Sequence, residues 1–218
     1  GFGLSARDEM TPAKIDSIMD FVGFEKIYLQ NGQVVKEHEN LQLDFNAIAK
    51  GYAADIICEF LESVGVESSM VEIGGDLMTR GLKPDGSKWR IGLELPADHS
   101  DSPQDWEYFV EIHDTGLATS GDYRRYHEID GRRYSHTIDP STGYPLDHNL
   151  LSVSVFTTDG MSADAFATAL MVMGSDKAIE FVESHEDIEA YLIMAGDNEN
   201  DYTFYASGGL NLKSRDDL

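Results

Sequence analysis

Behind the pair Thr11-Pro12, apolar side chains recur at Ile15, Ile18, Met19 and Val22, three and four residues apart, until Gly23. That spacing predicts a helix with Thr11 as its cap and Pro12 in its first turn. Ile27 to Leu29 and Val34-Val35 read as short strands joined by a hairpin turn at Asn31-Gly32, and Leu41 to Phe45 reads as a third strand. From Ala47 to Val64 two apolar rows lie side by side, Ile48, Tyr52, Ile56, Phe60 and Ala49, Ala53, Ile57, Leu61, and Gly65 can close the helix they define. A strand is therefore expected to feed directly into a helix at Asn46.

Met70 to Ile73 is an apolar strand that runs into a tight turn at Gly74-Gly75-Asp76. Arg90 to Leu95 and Tyr108 to His113 alternate polar and apolar residues as sheet strands do, and the acidic stretch from Pro96 to Asp105 separates them as a solvated loop. Tyr134 to Ile138 and Val153 to Phe156 add strands, followed by a helix from Met161 and a second from Asp176 to Glu183. Tyr191 to Met194 and Thr203 to Ala206 complete the sheet, Gly208-Gly209 breaks it, and Lys213 to Leu218 reads as a frayed polar tail. No internal repeat is present. The irregular order of strands and helices predicts an α+β fold of mixed sheet layers with packed helices, rather than regular βαβ alternation.

The run from Ser162 to Gly174 is apolar almost throughout, yet it carries one carboxylate and one hydroxyl, Asp164 and Thr168, four residues apart. On a helix these lie one turn apart on one face. A carboxylate drawn into an apolar interior needs a cation, a donor or a metal, and aligned Asp and Thr oxygens suit a hard ion such as Mg²⁺. A second reading stands beside the first: Asp164 caps the helix start and Thr168 bonds back to a carbonyl.

Composition bears on that choice. With 40 acidic and 16 basic residues among 218, the formal charge is -24. Such a field repels nucleic acid and anionic membranes, and an anionic nucleotide would need a bridging cation. The acidity equally serves solvation in a salty habitat. Cys58 is the single cysteine, so cysteine usage is silent on compartment, and no apolar run is long enough to span a bilayer. The chain opens at Gly1-Phe2-Gly3 without an initiator Met, so either processing or a start partway through a longer protein is expected.

Three further constellations carry chemistry. Asp44-Phe45-Asn46-Ala47-Ile48-Ala49-Lys50-Gly51 sets a helix N-terminus beside a lysine, which suits a phosphate, although an Asn-capped helix with a surface lysine explains it as well. Gly74-Gly75-Asp76 lets backbone approach a ligand, or simply makes a turn. Thr119-Ser120-Gly121 and the stretch from Ser135 to Pro145 place His136 and Asp139 where a strand gives way to a Pro and Gly turn. There His136 serves either as a general base or nucleotide contact, or as a cap of the Asp139-Pro140 turn. Arg124, Arg125, Arg132 and Arg133 are expected to pair with Glu128 and Asp130.

In this order the motifs resemble the ApbE family of flavin transferases: Asp44 to Asp55 with its Ala-Lys-Gly-Tyr core, Gly74-Gly75-Asp76, Thr119-Ser120-Gly121, His136 to Gly143, and Ala163-Asp164-Ala165 through Thr168 to Gly174. The resemblance implies a T-fold-related architecture and one catalytic domain over residues 1–218, the C-terminal two-thirds of the family's usual chain. It further implies Mg²⁺-dependent transfer of the FMN moiety of FAD to a threonine hydroxyl of an acceptor protein, such as a subunit of a membrane redox pump, with release of AMP. Mg²⁺ would be held by Asp164, Thr168 and the carbonyl of Ala47. FAD would be contacted by Asp44, Lys50 and the backbone of Ile138, with Gly74, Gly75, Ser120 and Gly121 as looser candidates. His136 would be the base, and Asp164 would take part in catalysis through the metal. Family members act on the periplasmic side of the bacterial inner membrane, attached by a lipid anchor outside the present sequence. Two alternatives remain open: an FAD pyrophosphatase that yields FMN and AMP, and a module that binds FAD without cleaving it.

Overall fold

A computed structural model describes residues 11–95, 106–121, 126–129, 132–135, 137–196, 198 and 201–214. Thr11 Oγ1 accepts the Lys14 N–H at 3.3 Å and Pro12 stands in the first turn, so α1 (Pro12–Met19) begins where its sequence predicts. The hairpin of β1 (Ile27–Gln30) and β2 (Gln33–Lys36) turns through Asn31 and Gly32, both at positive φ.

Leu41 to Phe45 is not a strand. Leu41 is buried, but Leu43 and Phe45 are exposed, and no strand pairs with the segment among the described residues. Asp44 instead folds the chain back on itself: its Oδ1 accepts the Asn46 N–H at 2.7 Å and its Oδ2 the Asn46 side-chain amide at 3.2 Å. Asn46 therefore caps no helix. The turn carries the chain through Ala47 to Ile48, which precedes α2 (Ala49–Ser63) without a side-chain cap. At the far end Gly65, at φ 89°, lets the Val66 N–H reach the Leu61 carbonyl and closes the helix as expected.

The strands that follow are β3 (Ser69–Ile73), β4 (Asp76–Arg80), β5 (Trp89–Glu94), β6 (Trp106–Ile112), β7 (Gly116–Gly121), the hairpin β8 (Tyr126–Ile129) and β9 (Arg132–Ser135), and β10 (Leu150–Thr157). Helices α3 (Gly160–Met173) and α4 (Ser175–Glu183) come next, then β11 (Glu189–Ala195), β12 (Tyr202–Ala206) and β13 (Lys213–Ser214). The strand expected to reach Ile138 ends at Ser135, and Ile138 makes an isolated bridge to Pro145. The expected polar tail begins as a strand, because Lys213 pairs with Phe109 and its ammonium reaches Glu111 Oε2 at 2.5 Å. Residues 215–218, the loop from Pro96 to Asp105 and the predicted arginine pairings lie outside the described residues.

One antiparallel sheet runs β12-β11-β10-β7-β4-β3, and a smaller one runs β13-β6-β5. Strand alternation divides the core between their faces. Ala118, Val153, Val155, Ala190 and Leu192 face α3 and α4, packing against Ala163, Ala167, Leu170 and Val182. Leu77, Leu117, Phe156, Tyr191 and Ile193 face the smaller sheet and meet Leu93, Val110 and Ile112. Met78 turns toward α2, against Ala54 and Cys58. The order is helices, six strands, three strands, a mixed α+β architecture.

Candidate ligand cleft

Glycine brings the beginnings of α2 and α3 together. A Cβ on Gly51 would lie 2.0 Å from the Gly160 carbonyl oxygen, and one on Gly160 would lie 2.8 Å from the Gly51 oxygen. At that crossing the helices exchange carboxylates. Asp164 Oδ2, on α3, accepts the Gly51 N–H at 3.1 Å, while Asp55 on α2 accepts the N–H groups of Gly160 at 2.7 Å and Met161 at 2.8 Å. Asp55 and Asp164 are both buried. The cap of α3 is Asp159, which accepts the Ser162 N–H at 2.7 Å, so Asp164 does not cap its own helix.

Beside this crossing the large sheet parts. Strands β4 and β7 pair at Leu77↔Leu117 and Met78↔Gly116. Past Leu77 a side chain replaces the ladder, and Asp76 Oδ1 accepts the Thr119 N–H at 3.3 Å. Asp76 Oδ2 forms an ion pair with Lys50 Nζ from the first turn of α2; the lysine side chain is 43 % exposed and that of Asp76 is 2 % exposed. Burial pushes the Asp76 carboxyl above its usual range. The Lys50 charge and hydrogen bond oppose that shift, and the nearby Asp164 charge adds to it. Gly74 and Gly75, at φ 59° and 94°, make the two-residue turn from β3 to β4. Glu72 Oε1 holds that turn through the Gly75 N–H at 2.6 Å.

The parted strands open a cleft of about 1270 Å³. On its helix side Ser120 Oγ meets Thr168 Oγ1 at 3.4 Å, beside Asp164. On its other side the Thr119 and Ser154 hydroxyls meet at 2.8 Å, facing Ile91, Gly92 and Leu93 of β5.

Of the residues singled out from sequence, Asp44, Ala47, Lys50, Gly74, Gly75, Ser120, Gly121, Asp164 and Thr168 all line this one cleft. They come from four separate stretches of chain. Asp44 reaches it as an exposed residue whose two oxygens already hold Asn46. Ile138 is not among the residues that line the cleft, whereas its neighbour Thr137 is; at the Ile138↔Pro145 bridge the hydrogen bonds run from the Leu146 N–H to the Thr137 carbonyl and from the Asp139 N–H to the Tyr144 carbonyl. His136 lies outside the described residues. Asp139 serves its own turn: the Ser141 hydroxyl and N–H hold its carboxyl below the usual range.

Sequence reasoning missed Ser154, and it quoted Asp55, Asp76 and Thr119 within motifs without giving any of them a task of its own. The apolar rows of α2 did not point to Asp55, because the helix buries it with Gly51, Ala54 and Cys58 and leaves Tyr52, Ile56 and Phe60 of those rows exposed. The two hydroxyls carried no signal, because their partnership depends on the register Ser154↔Thr119 between β10 and β7.

Among the described residues, no three of the His, Cys, Asp and Glu side chains stand together as a metal cage. The donor set still fits Mg²⁺. That ion commonly keeps several waters and takes one or two carboxylates plus phosphate oxygens, and the cleft is lined by a carboxylate residue, Asp164, and a hydroxyl residue, Thr168, with Ala47 beside them. The start of α2 contributes less than its sequence promised, because the Gly51 N–H is already given to Asp164. Lys50 supplies the formal positive charge on this wall.

A three-layer α+β protein with oxygen donors and one lysine gathered at a break in its sheet has the features of a protein that binds a phosphorylated ligand. Residues 1–192 match the ApbE family, and the chain belongs to that family. It is 37% identical over 204 residues to the FAD:protein FMN transferase of Vibrio cholerae, covering 93% of this chain and 60% of that protein. It is 36% identical over 199 residues to the FAD:protein FMN transferase of Escherichia coli K12, covering 88% and 56%. Among solved structures, the flavin transferase ApbE from Vibrio cholerae superposes with a TM-score of 0.81 at 37% identity, over 95% of this chain and 65% of that one. The apo flavinyl transferase ApbE of Pseudomonas stutzeri gives 0.79 at 37% identity, over 94% and 61%. The chain thus spans about 60% of the length of the curated relative from Vibrio cholerae. Among the described residues no helix is long and apolar enough to cross a membrane.

Proposed function

We propose that this chain carries the catalytic cleft of an FAD:protein FMN transferase, which moves the FMN moiety of FAD to a threonine hydroxyl of an acceptor protein and releases AMP. The observation that carries the reading is the convergence of Ala47, Lys50, Gly74, Ser120, Asp164 and Thr168 on one cleft, in a chain of this family. At about 1270 Å³ the cleft exceeds the roughly 300–1,000 Å³ of a drug-sized site, as a dinucleotide requires.

In the reaction the threonine oxygen bonds to the FMN phosphorus and the pyrophosphate P–O bond breaks. AMP leaves with the bridging oxygen, and the hydroxyl proton passes to a base. Asp164, Thr168 and the Ala47 carbonyl would hold Mg²⁺, which supplies Lewis acidity toward the pyrophosphate oxygens. Lys50 stabilises the negative charge that grows on those oxygens as the bond breaks. The Gly74-Gly75 turn, free of side chains, lets backbone approach the ligand beside Lys50. His136 is the proposed proton acceptor, on the resemblance of its motif.

The test is incubation of the protein with FAD, with or without a threonine-bearing acceptor, in Mg²⁺ or in chelator. AMP release together with an FMN-sized mass gain on acceptor threonine is the expected outcome. Free FMN and AMP without acceptor labelling would replace transfer by hydrolysis. No AMP in any condition would reduce the protein to a flavin-binding module.

A further inference from the structure

A carboxylate as buried as Asp76 requires explanation, because its role at the parted sheet does not need a charge. To receive the Thr119 N–H takes one oxygen, which an amide or a hydroxyl would supply without the cost of burying an ion. The second oxygen faces Lys50 Nζ, and the lysine is the partner with access to the cleft. Asp76 does not line the cleft and is 1 % exposed, so it touches no ligand there. The contacts run in one line: the backbone of β7 fixes Asp76, Asp76 fixes the ammonium, and the ammonium meets the cleft. The Gly74 turn lies beneath the same lysine, where a Cβ would stand 3.7 Å from Lys50 Cδ.

We infer that Asp76 is a positioning residue, anchored on the Thr119 N–H, that holds the Lys50 ammonium in place to grip phosphate oxygens in the cleft. A lysine stem has four rotatable carbons, and a cation left to wander over them forfeits most of its value to a charge that develops at one point. Asp76 removes that freedom before the ligand arrives. The inference rests on the proposed phosphate-binding role of Lys50 for its effect on rate. The restraint on the lysine is a property of the protein alone.

Asp76→Asn separates the two roles, since it keeps an oxygen for Thr119 and turns an uncharged amide toward Lys50. Lysine acylation in the ligand-free protein, read by peptide mass spectrometry with exposed Lys88 as internal standard, reports the restraint directly. The Lys50 to Lys88 ratio is expected to rise roughly fivefold or more in Asp76→Asn, the factor that loss of a modest interaction produces. An unchanged ratio overturns the inference. AMP release from FAD supplies the second readout. Asp76→Asn and Lys50→Met each lower kcat by about tenfold or more, and the double variant is no slower than Lys50→Met alone, because both changes remove one device. Losses that multiply would show Asp76 acting independently of Lys50 and would overturn the inference. If Asp76→Asn does not fold, Asp76→Ser carries the same comparisons. A wild-type protein that releases no AMP, yet shows the acylation effect, would refute the transfer reading and leave the Lys50 restraint standing.

Discussion

Gly51 and Gly160 meet backbone to backbone, at a distance that admits no side chain on either helix. The atom in the way of a methyl group on Gly51 is a main-chain oxygen, which no rotamer change can move. Gly51→Ala therefore forces α2 and α3 apart and destabilises the fold by about 1–3 kcal/mol. Thermal unfolding reads this as a fall of roughly 2–4 °C for each kcal/mol. AMP release drops by more than the loss of folded protein explains, since Lys50 and Asp164 separate with the helices. Wild-type melting and turnover together would show that the crossing is looser than described.

Asp164 holds the Gly51 N–H and is also the proposed Mg²⁺ ligand, and substitutions can divide the two. Asp164→Asn keeps an oxygen for the Gly51 N–H, so it should melt close to wild type. It loses the charge offered to Mg²⁺, and the Mg²⁺ concentration for half-maximal AMP release should rise roughly 10–100-fold or more. Asp164→Ala additionally leaves a buried N–H without an acceptor, at a further cost of about 1–3 kcal/mol. Equal Mg²⁺ response in Asp164→Asn and wild type would remove Asp164 from the metal site.

Burial raises the Asp76 carboxyl, so the folded protein holds its proton more tightly than the unfolded chain does. For an acid shifted this way, stability is greatest below the unfolded value near about 3.9 and declines as pH rises through the folded value. Asp76→Asn has no such decline. The melting temperature of Asp76→Asn minus that of wild type should therefore increase from pH 4 to pH 7, while activity falls. Lys50→Met has the opposite effect at neutral pH, because it strands the buried carboxylate without its cation. A difference that stays flat across this range would contradict the raised value.

Asp139 shifts the other way. The Ser141 hydroxyl and N–H favour its ionised form, so its contribution to stability is present above about 3.9 and is lost as pH falls through its lower folded value. Asp139→Ala should lower the melting temperature at pH 7 and converge on wild type in acid. FAD affinity should weaken as well, because Thr137, which the same turn positions, lines the cleft. A deficit that persists undiminished at low pH would point to packing rather than to the ionised carboxylate.

Much of the cleft was legible in the sequence because its parts sit at ends of elements that announce themselves. The apolar run of α3 turns Asp164 inward beside Ala163 and Ala167, but the apolar rows of α2 mislead: Tyr52, Ile56, Ile57 and Phe60 are exposed, and the helix buries Gly51, Ala54, Asp55 and Cys58 instead. The strand expected at Leu41 to Phe45 failed because apolar residues alone do not make a strand where no neighbour pairs with them and Asp44 can bond to Asn46. Strand β7 escaped notice because Gly116 to Gly121 is a run of small and hydroxylated residues, buried by its central place between β10 and β4 rather than by its own hydrophobicity. Asp76 showed its task only when register brought Thr119 beside it, a relation between residues 43 apart in sequence.

The exchange of carboxylates between α2 and α3 also has a mechanical meaning. Each helix start is fastened by a residue of the other, so the lysine wall and the Asp164 wall move as one piece. The opposite side, where β5 of the smaller sheet faces the cleft, is held differently, by the apolar core that Leu93 shares with Leu77 and Leu117 and by the Trp89 indole N–H on the Gly81 carbonyl. The groups proposed to bear on the phosphates are thus fastened to one another before any ligand arrives.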